Sequence, residues 1–216
     1  MHILIEHFGL AGEMPLLSPR YNIAPTQPVV AVRMGGGPTA EGPELAELRW
    51  GLIPHWAKDP AIGARMINAR AETVAEKPAY KAAFRRRRCL IPADGFYEWQ
   101  KDGRRKQPFF ITLPDDRLFA LAGLWERWEG PDHSYIESCT VLTTEPNELV
   151  RPIHNRMPVI VSPEDYGLWL DPTVENAATL APVLRPYQAE PMQSHPVGPV
   201  VNNPRNDSPE CLSPAF

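Results

Sequence analysis

The chain alternates short apolar runs with turn-forming residues, and the period of each run predicts its element. Ile3, Leu4 and Phe8 repeat at helical spacing, so residues 3–10 read as a short helix that Gly9 or Gly12 would end. No capping residue precedes it. Residues 28–34 (Pro-Val-Val-Ala-Val-Arg-Met) read as a strand followed by a Gly/Pro turn at 35–38, and residues 45–53 as a second strand running into Pro54. Residues 78–87 have helical spacing, with Tyr80, Ala83 and Phe84 on one face. Strands are expected at 89–91 and 95–100 around a Pro92-Ala93-Asp94-Gly95 turn, and 107–113 pairs with 117–125 as a hairpin closed at 114–116. Residues 134–144 form a β-prone run, 163–170 a short helix capped by Ser162, and the tail from Val197 is irregular. With no internal repeat or linker, the pattern describes one α+β domain over residues 1–216, built of many short strands and a few peripheral helices.

Composition sharpens this reading. The 216 residues are 43% hydrophobic and 22% charged, as in a soluble globular protein, and the 26 prolines spread along the chain argue against long helices. No run of about 18 apolar residues occurs, and Glu6 and His7 break the N-terminal apolar patch, so neither a membrane span nor a signal peptide is expected. Three cysteines without regular spacing point to neither a disulfide framework nor a metal site, and no cofactor is expected. The compartment is then cytoplasmic.

The net charge of −4 conceals an uneven distribution. Residues 49–106 hold 14 Lys/Arg against 6 Asp/Glu, whereas the rest holds 8 against 20. A basic middle in an acidic chain suits a polyanion, although the run from Arg85 to Arg88 is equally readable as a solvated face.

Several residues suit chemistry. His154 lies between Pro152 and Pro158, on an irregular segment that can fix an imidazole, the side chain suited to proton transfer near neutral pH. Glu98 sits in Gly95-Phe-Tyr-Glu-Trp99, where strand alternation places Phe96, Glu98 and Gln100 on one face and Tyr97 and Trp99 on the other. A carboxylate among aromatics should have a raised pKa, as a general acid needs; the alternative is an exposed edge. In extended chain Asn68 and Arg70 point the same way, one able to orient a substrate oxygen and the other to hold a phosphate. Trp50 and Trp56 flank a proline-bounded loop where an aromatic can stack on a base or pack in the core.

Five motifs stand in order: Arg20-Tyr-Asn-Ile-Ala-Pro-Thr-Gln27, Arg49-Trp-Gly-Leu-Ile-Pro54, Ile67-Asn-Ala-Arg-Ala-Glu-Thr73, Cys89-Leu-Ile-Pro-Ala-Asp-Gly-Phe-Tyr-Glu-Trp99 and Ile153-His-Asn-Arg-Met-Pro158. Together they resemble the SRAP (SOS-response-associated peptidase) family from about residue 7 to 216, and Val200-Val-Asn-Asn203 fits as well. The resemblance implies a mostly antiparallel, barrel-like β core with peripheral helices. It also implies a monomeric protein acting on single-stranded DNA that contains abasic sites, associated with the nucleoid when bound. In that family an N-terminal cysteine, exposed by self-removal of the initiator Met, traps the ring-opened aldehyde as a thiazolidine. By position, Asn68 would orient the N-terminal residue and the sugar, Glu98 would shuttle a proton, and His154 would assist ring opening and reversal. Arg70 and Arg156 would hold phosphates, and Asn22, Pro25, Trp56 and Thr143 would contact DNA or wedge bases.

The chain departs from the family in one place: His2 follows Met1 where the family has Cys-Gly-Arg. Cys89, Cys139 and Cys211 cannot substitute, because a thiazolidine needs amine and thiol on one residue. Three accounts are open: an upstream Met-Cys-Gly-Arg start, a non-covalent single-stranded DNA binder, or a Schiff base formed by His2 or the α-amine. The first accords with the uncapped helix at residue 3 and with the presence of Asn68, Glu98 and His154.

Overall fold

The computed structural model describes residues 2–10, 17–35, 42–103 and 105–215. The first helix, α1 (His2–Phe8), ends where expected. Gly9 takes φ +60°, and the Leu10 amide donates to the Ile5 carbonyl at 3.1 Å, a left-handed glycine closure. Gly12 and most of the expected 35–38 turn lie outside the described residues.

Eleven strands follow among the described residues: β1 (Pro28–Met34), β2 (Pro43–Trp50), β3 (Asn68–Arg70), β4 (Arg88–Ala93), β5 (Gly95–Asp102), β6 (Arg105–Thr112), β7 (Phe119–Glu129), β8 (Tyr135–Thr144), β9 (Met157–Pro158), β10 (Ile160–Val161) and β11 (Gln193–Pro196). Pairing runs from β1 to β2, β2 to β8, β8 to β7, β7 to β4 and β4 back to β1, so five strands close a ring. Closure removes the edges that an open sheet would expose. β3 and β9 extend the sheet from β8, and β10 extends it from β7. Only β2 and β3 run parallel to β8. The mostly antiparallel, barrel-like α+β architecture is borne out.

Strand alternation buries both faces of this sheet. Val29, Ala31, Cys89, Ile91, Leu121, Cys139 and Val141 join one cluster with Phe96 and Ile111 of the second sheet. Val32, Leu90, Ala122, Leu124 and Leu142 join another, covered by Phe8, by Phe84 of α2 (Pro78–Arg86) and by Trp169 of α3 (Tyr166–Leu170). That double burial explains why β4 and β7 read as continuous apolar runs.

Three expectations are corrected. Residues 107–113 and 117–125 do not form a hairpin: β6 pairs with β5 and β11 in a separate three-stranded sheet, and the 3-10 turn Pro114–Asp116 carries the chain across to β7. The second strand stops at Trp50, not at residue 53. Gly51 takes φ +133° there, and a Cβ on it would lie 2.6 Å from the Gly63 carbonyl oxygen. Residues 163–170 divide into a 3-10 turn, Pro163–Asp165, and α3, and the Ser162 side chain makes no capping bond.

The basic run resolves into separate roles. Arg88 is 2% exposed and donates to the carbonyls of Phe84 (2.6 Å), Arg85 (2.7 Å), Trp169 (2.6 Å) and Asp171, thereby closing the C-terminal ends of α2 and α3 together. Arg86 pairs with Glu175 and Arg87 with Glu126, while Arg85 is exposed. Arg88 is therefore structural. Arg88→Met should lower the urea-unfolding free energy by about 3 kcal/mol or more, because several buried carbonyls lose a charged donor. Arg85→Ala should change it by less than about 0.5 kcal/mol.

Candidate functional site

β5 positions the first catalytic candidate. Its Tyr97 and Trp99 pack with Phe110, Val197 and Val201, which turns Phe96, Glu98 and Gln100 to the opposite face, as alternation predicts. From that face Gln100 Nε2 donates to the Pro152 carbonyl at 2.9 Å, and Glu98 Oε2 lies 3.4 Å from His154 Nδ1. The loop carrying His154 is fixed independently. Val150 and Ile153 are buried in the core, Asn147 Oδ1 accepts from the Val150 amide at 3.0 Å, and the His154 amide donates to the Val150 carbonyl at 2.9 Å.

Burial pushes the Glu98 carboxyl up from 4.5 to about 7, with the His154 imidazole pulling the other way. His154 Nδ1 also lies 3.0 Å from the Arg156 carbonyl and 3.3 Å from its amide. Protonated, Nδ1 can donate to the Arg156 carbonyl or the Glu98 carboxylate; bare, it accepts from the Arg156 amide.

β3 supplies the neighbouring wall. It docks parallel on β8, with Asn68 opposite Val141 and Arg70 opposite Thr143. Ala69 is buried in the helix-covered core, so Asn68 and Arg70 both turn outward and are exposed. Arg156 joins the two walls. Its guanidinium donates to Glu72 Oε1 and Oε2 at 2.7 and 2.8 Å and to the Thr143 carbonyl at 2.5 Å, with the Thr143 hydroxyl at 3.4 Å. That bond, with help from nearby Arg70, holds the Glu72 carboxyl below its ordinary range. Glu98, His154, Arg156 and Arg70 thus form one connected surface over the buried Thr143, with Asn68 beside Arg70 on the same short strand.

Other expected residues lie apart from this surface. Asn22 is buried, and its amide donates to the carbonyls of Val201, Asn203 and Asn206, so it ties the Arg20–Gln27 motif to the tail. Pro25 is exposed in the adjoining turn, next to Thr26 at φ +72°. Trp56 is 53% exposed, on a loop anchored by the bond from Trp128 Nε1 to the Ala57 carbonyl at 2.7 Å. Trp50 instead packs against the core and donates to the Ile67 carbonyl. Glu72 and Asp207 were not foreseen. Glu72 continues the two-residue spacing of Asn68 and Arg70 past the end of the strand. Asp207 receives the Arg20 side chain and the amides of Tyr21 and Asn22, a long-range contact without a local signal.

A cavity of about 370 Å³ lined by His55, Ala82, Arg87, Trp125, Glu126 and Arg127 shares no residue with this surface. Its one carboxylate, Glu126, is buried and engaged by Arg87 and His55, so its chemistry is already satisfied. Among the described residues no group of three metal-binding side chains occurs, and no helix is long and apolar enough to cross a membrane.

A family model described as SOS response associated peptidase (SRAP) matches residues 2–204. The abasic site processing protein YoqW of Bacillus subtilis is 44% identical over 212 residues, covering 97% of this chain and 93% of its own length. The abasic site processing protein HMCES of Xenopus tropicalis is 34% identical, covering 94% of this chain and 68% of its own. Among solved structures, a protein from Bacteroides thetaiotaomicron superimposes with a TM-score of 0.76 at 28% identity, covering 92% of this chain and 82% of that one. A protein from Bordetella bronchiseptica gives 0.75 at 26%, covering 91% and 95%.

The raised Glu98 value makes stability depend on pH. Its folded-state pKa lies above the unfolded one, so the stabilisation it gives is complete below pH 4.5 and is lost as pH rises through about 7. Glu98→Gln removes this dependence. Relative to Glu98→Gln, the wild type should lose roughly 1–3 kcal/mol between pH 5 and pH 8, read as diverging denaturation midpoints.

Proposed function

The chain belongs to the SRAP family, and from that membership we propose that it processes abasic sites in DNA, acting as a monomer on single strands in the cytoplasm and on the nucleoid. The observation that carries this reading is the Glu98–His154 pair, a carboxyl poised near pH 7 beside an imidazole, next to the outward Asn68 and Arg70. A group half-protonated at working pH can both give and take a proton, as formation and reversal of a carbonyl adduct require.

The reacting group is an N-terminal cysteine in a Met-Cys-Gly-Arg segment, exposed by removal of the initiator Met. Its α-amine adds to the aldehyde of the ring-opened sugar. Glu98 gives a proton to the departing hydroxyl and takes one back from the nitrogen, so that one water leaves and a neutral imine remains. The thiolate then attacks the imine carbon, and the nitrogen takes up a proton as the thiazolidine closes. Asn68 orients the N-terminal residue and the sugar, and His154 assists ring opening and reversal. Arg70 and Arg156 hold flanking phosphates beside Thr143, while Trp56 and Pro25 wedge neighbouring bases. Asn22 contributes by shaping the Pro25 turn through its three carbonyl partners.

In this chain His2 follows Met1, and the three cysteines are buried within it. The covalent step is therefore assigned to a protein carrying the Met-Cys-Gly-Arg start. Such a protein incubated with a single-stranded abasic oligonucleotide should give an SDS-resistant complex, formed at least about tenfold more slowly by Glu98→Gln or His154→Ala. No complex from a protein with an intact N-terminal cysteine would refute the covalent reading.

Exposed Arg70 and Trp56 support a second reading, non-covalent single-stranded DNA binding by the chain as it stands. It expects salt-dependent retardation of single strands, weakened about fivefold or more in Arg70→Ala. Equal, salt-insensitive binding by that variant would exclude it.

A further inference from the structure

We propose that Glu72 is a built-in counter-anion that occupies the phosphate position on Arg156, and that displacing it sets how tightly the site takes a DNA backbone. The inference rests on the DNA-binding reading above. Glu72 meets Arg156 fork to fork: its two carboxylate oxygens lie 2.7 and 2.8 Å from Nη1 and Nη2. Two oxygens of a phosphodiester present that same geometry to a guanidinium.

The other donors of Arg156 are mostly turned inward. Nη2 also donates to the Thr143 carbonyl, and Nε is buried without a partner. The outward donors are therefore the ones that Glu72 covers. A phosphate approaching Arg156 must displace that carboxylate or settle for the second hydrogen of Nη1.

The two ends of the contact differ in firmness. The Arg156 side chain is 21% exposed and held by the main chain of β8 through Thr143, whereas the Glu72 side chain is 49% exposed. Glu72 can swing into water while the guanidinium stays in place, so the exchange leaves a prepared phosphate site. Arg70, close enough to act on the Glu72 charge, is the second cation that a backbone meets. A polyanion touching both arginines can outcompete the tethered carboxylate, whereas a lone phosphate ion gains only one of these contacts. Glu72 thereby works as a specificity-determining residue: it screens Arg156 from small anions and makes occupancy depend on a strand with several contacts.

The test is equilibrium binding of an undamaged oligothymidine strand across a salt series, using the full chain as wild type, Glu72→Gln, Glu72→Ala, Arg156→Ala and the Glu72→Gln/Arg156→Ala double variant. Inorganic phosphate serves as competitor. Both Glu72 variants should bind about fivefold tighter than wild type at moderate salt, the worth of a good exposed ion pair. Their log Kd against log salt should steepen by about 0.7, one further phosphate on a single strand. They should also become more sensitive to phosphate competition. The double variant should behave as Arg156→Ala, because without the guanidinium Glu72 has nothing to cover. A residue that merely braced Arg156 would show the opposite sign, with weaker binding and a shallower slope, and that result would overturn the proposal. Wild-type binding with no gain in either variant would overturn it as well, leaving the DNA reading intact. Absence of binding by all five proteins would remove the DNA reading and this inference with it.

Discussion

The two-faced alternation of β5 is the constraint on which the site depends. One face is apolar and fixed: Tyr97 and Trp99 lock the strand against Phe110 and the tail, Tyr97 donating to the Tyr21 carbonyl and Trp99 to Asn202. Because that face cannot turn, the other must present Glu98 and Gln100 to the His154 loop. A one-residue slip would put the carboxylate into the aromatic cluster and the tryptophan beside the histidine. The register of β5 on β6, anchored by eight consecutive residue pairs, is thus also the register of the chemistry.

The electrostatics follow from the same geometry. Partial burial lifts Glu98 toward neutral pH, a position that weakens the fold at alkaline pH and suits proton transfer. Within the basic middle of the chain Arg86 and Arg87 each face a carboxylate and Arg88 faces carbonyls, and Arg156, further along, faces Glu72. Beside the Glu98–His154 pair, the cations that face a polyanion are Arg70, and Arg156 behind Glu72.

Much of this was legible in advance because it is local. The limits of β1, the glycine end of α1, the alternation of β5 and the outward pairing of Asn68 with Arg70 all follow from periods of two or 3.6 residues. Where fold and local pattern part, a distant partner decides the outcome. β6 and β7 look like a hairpin from their spacing, yet β6 is claimed by β5 and β11 while β7 closes the ring between β4 and β8. The strand ending at Trp50 stops because Gly63, a dozen residues on, approaches Gly51 too closely for a side chain. Asn22, which the resemblance puts in a DNA-contacting loop, is held by a tail some 180 residues away, a tie without a local signal. The ordered motifs carry long-range arrangement that no local period contains: residues of three of them, Arg70 and Glu72, Glu98, and His154 with Arg156, come together in the fold.

Chemical-shift mapping tests the central assignment most directly: isotope-labelled chain is titrated with a single-stranded oligonucleotide carrying one abasic site. The account predicts perturbations concentrated on Asn68, Arg70, Glu72, Glu98, His154 and Arg156, with His154 among the largest. Shifts confined to the cavity of His55, Arg87 and Arg127, with those six residues unmoved, would contradict it.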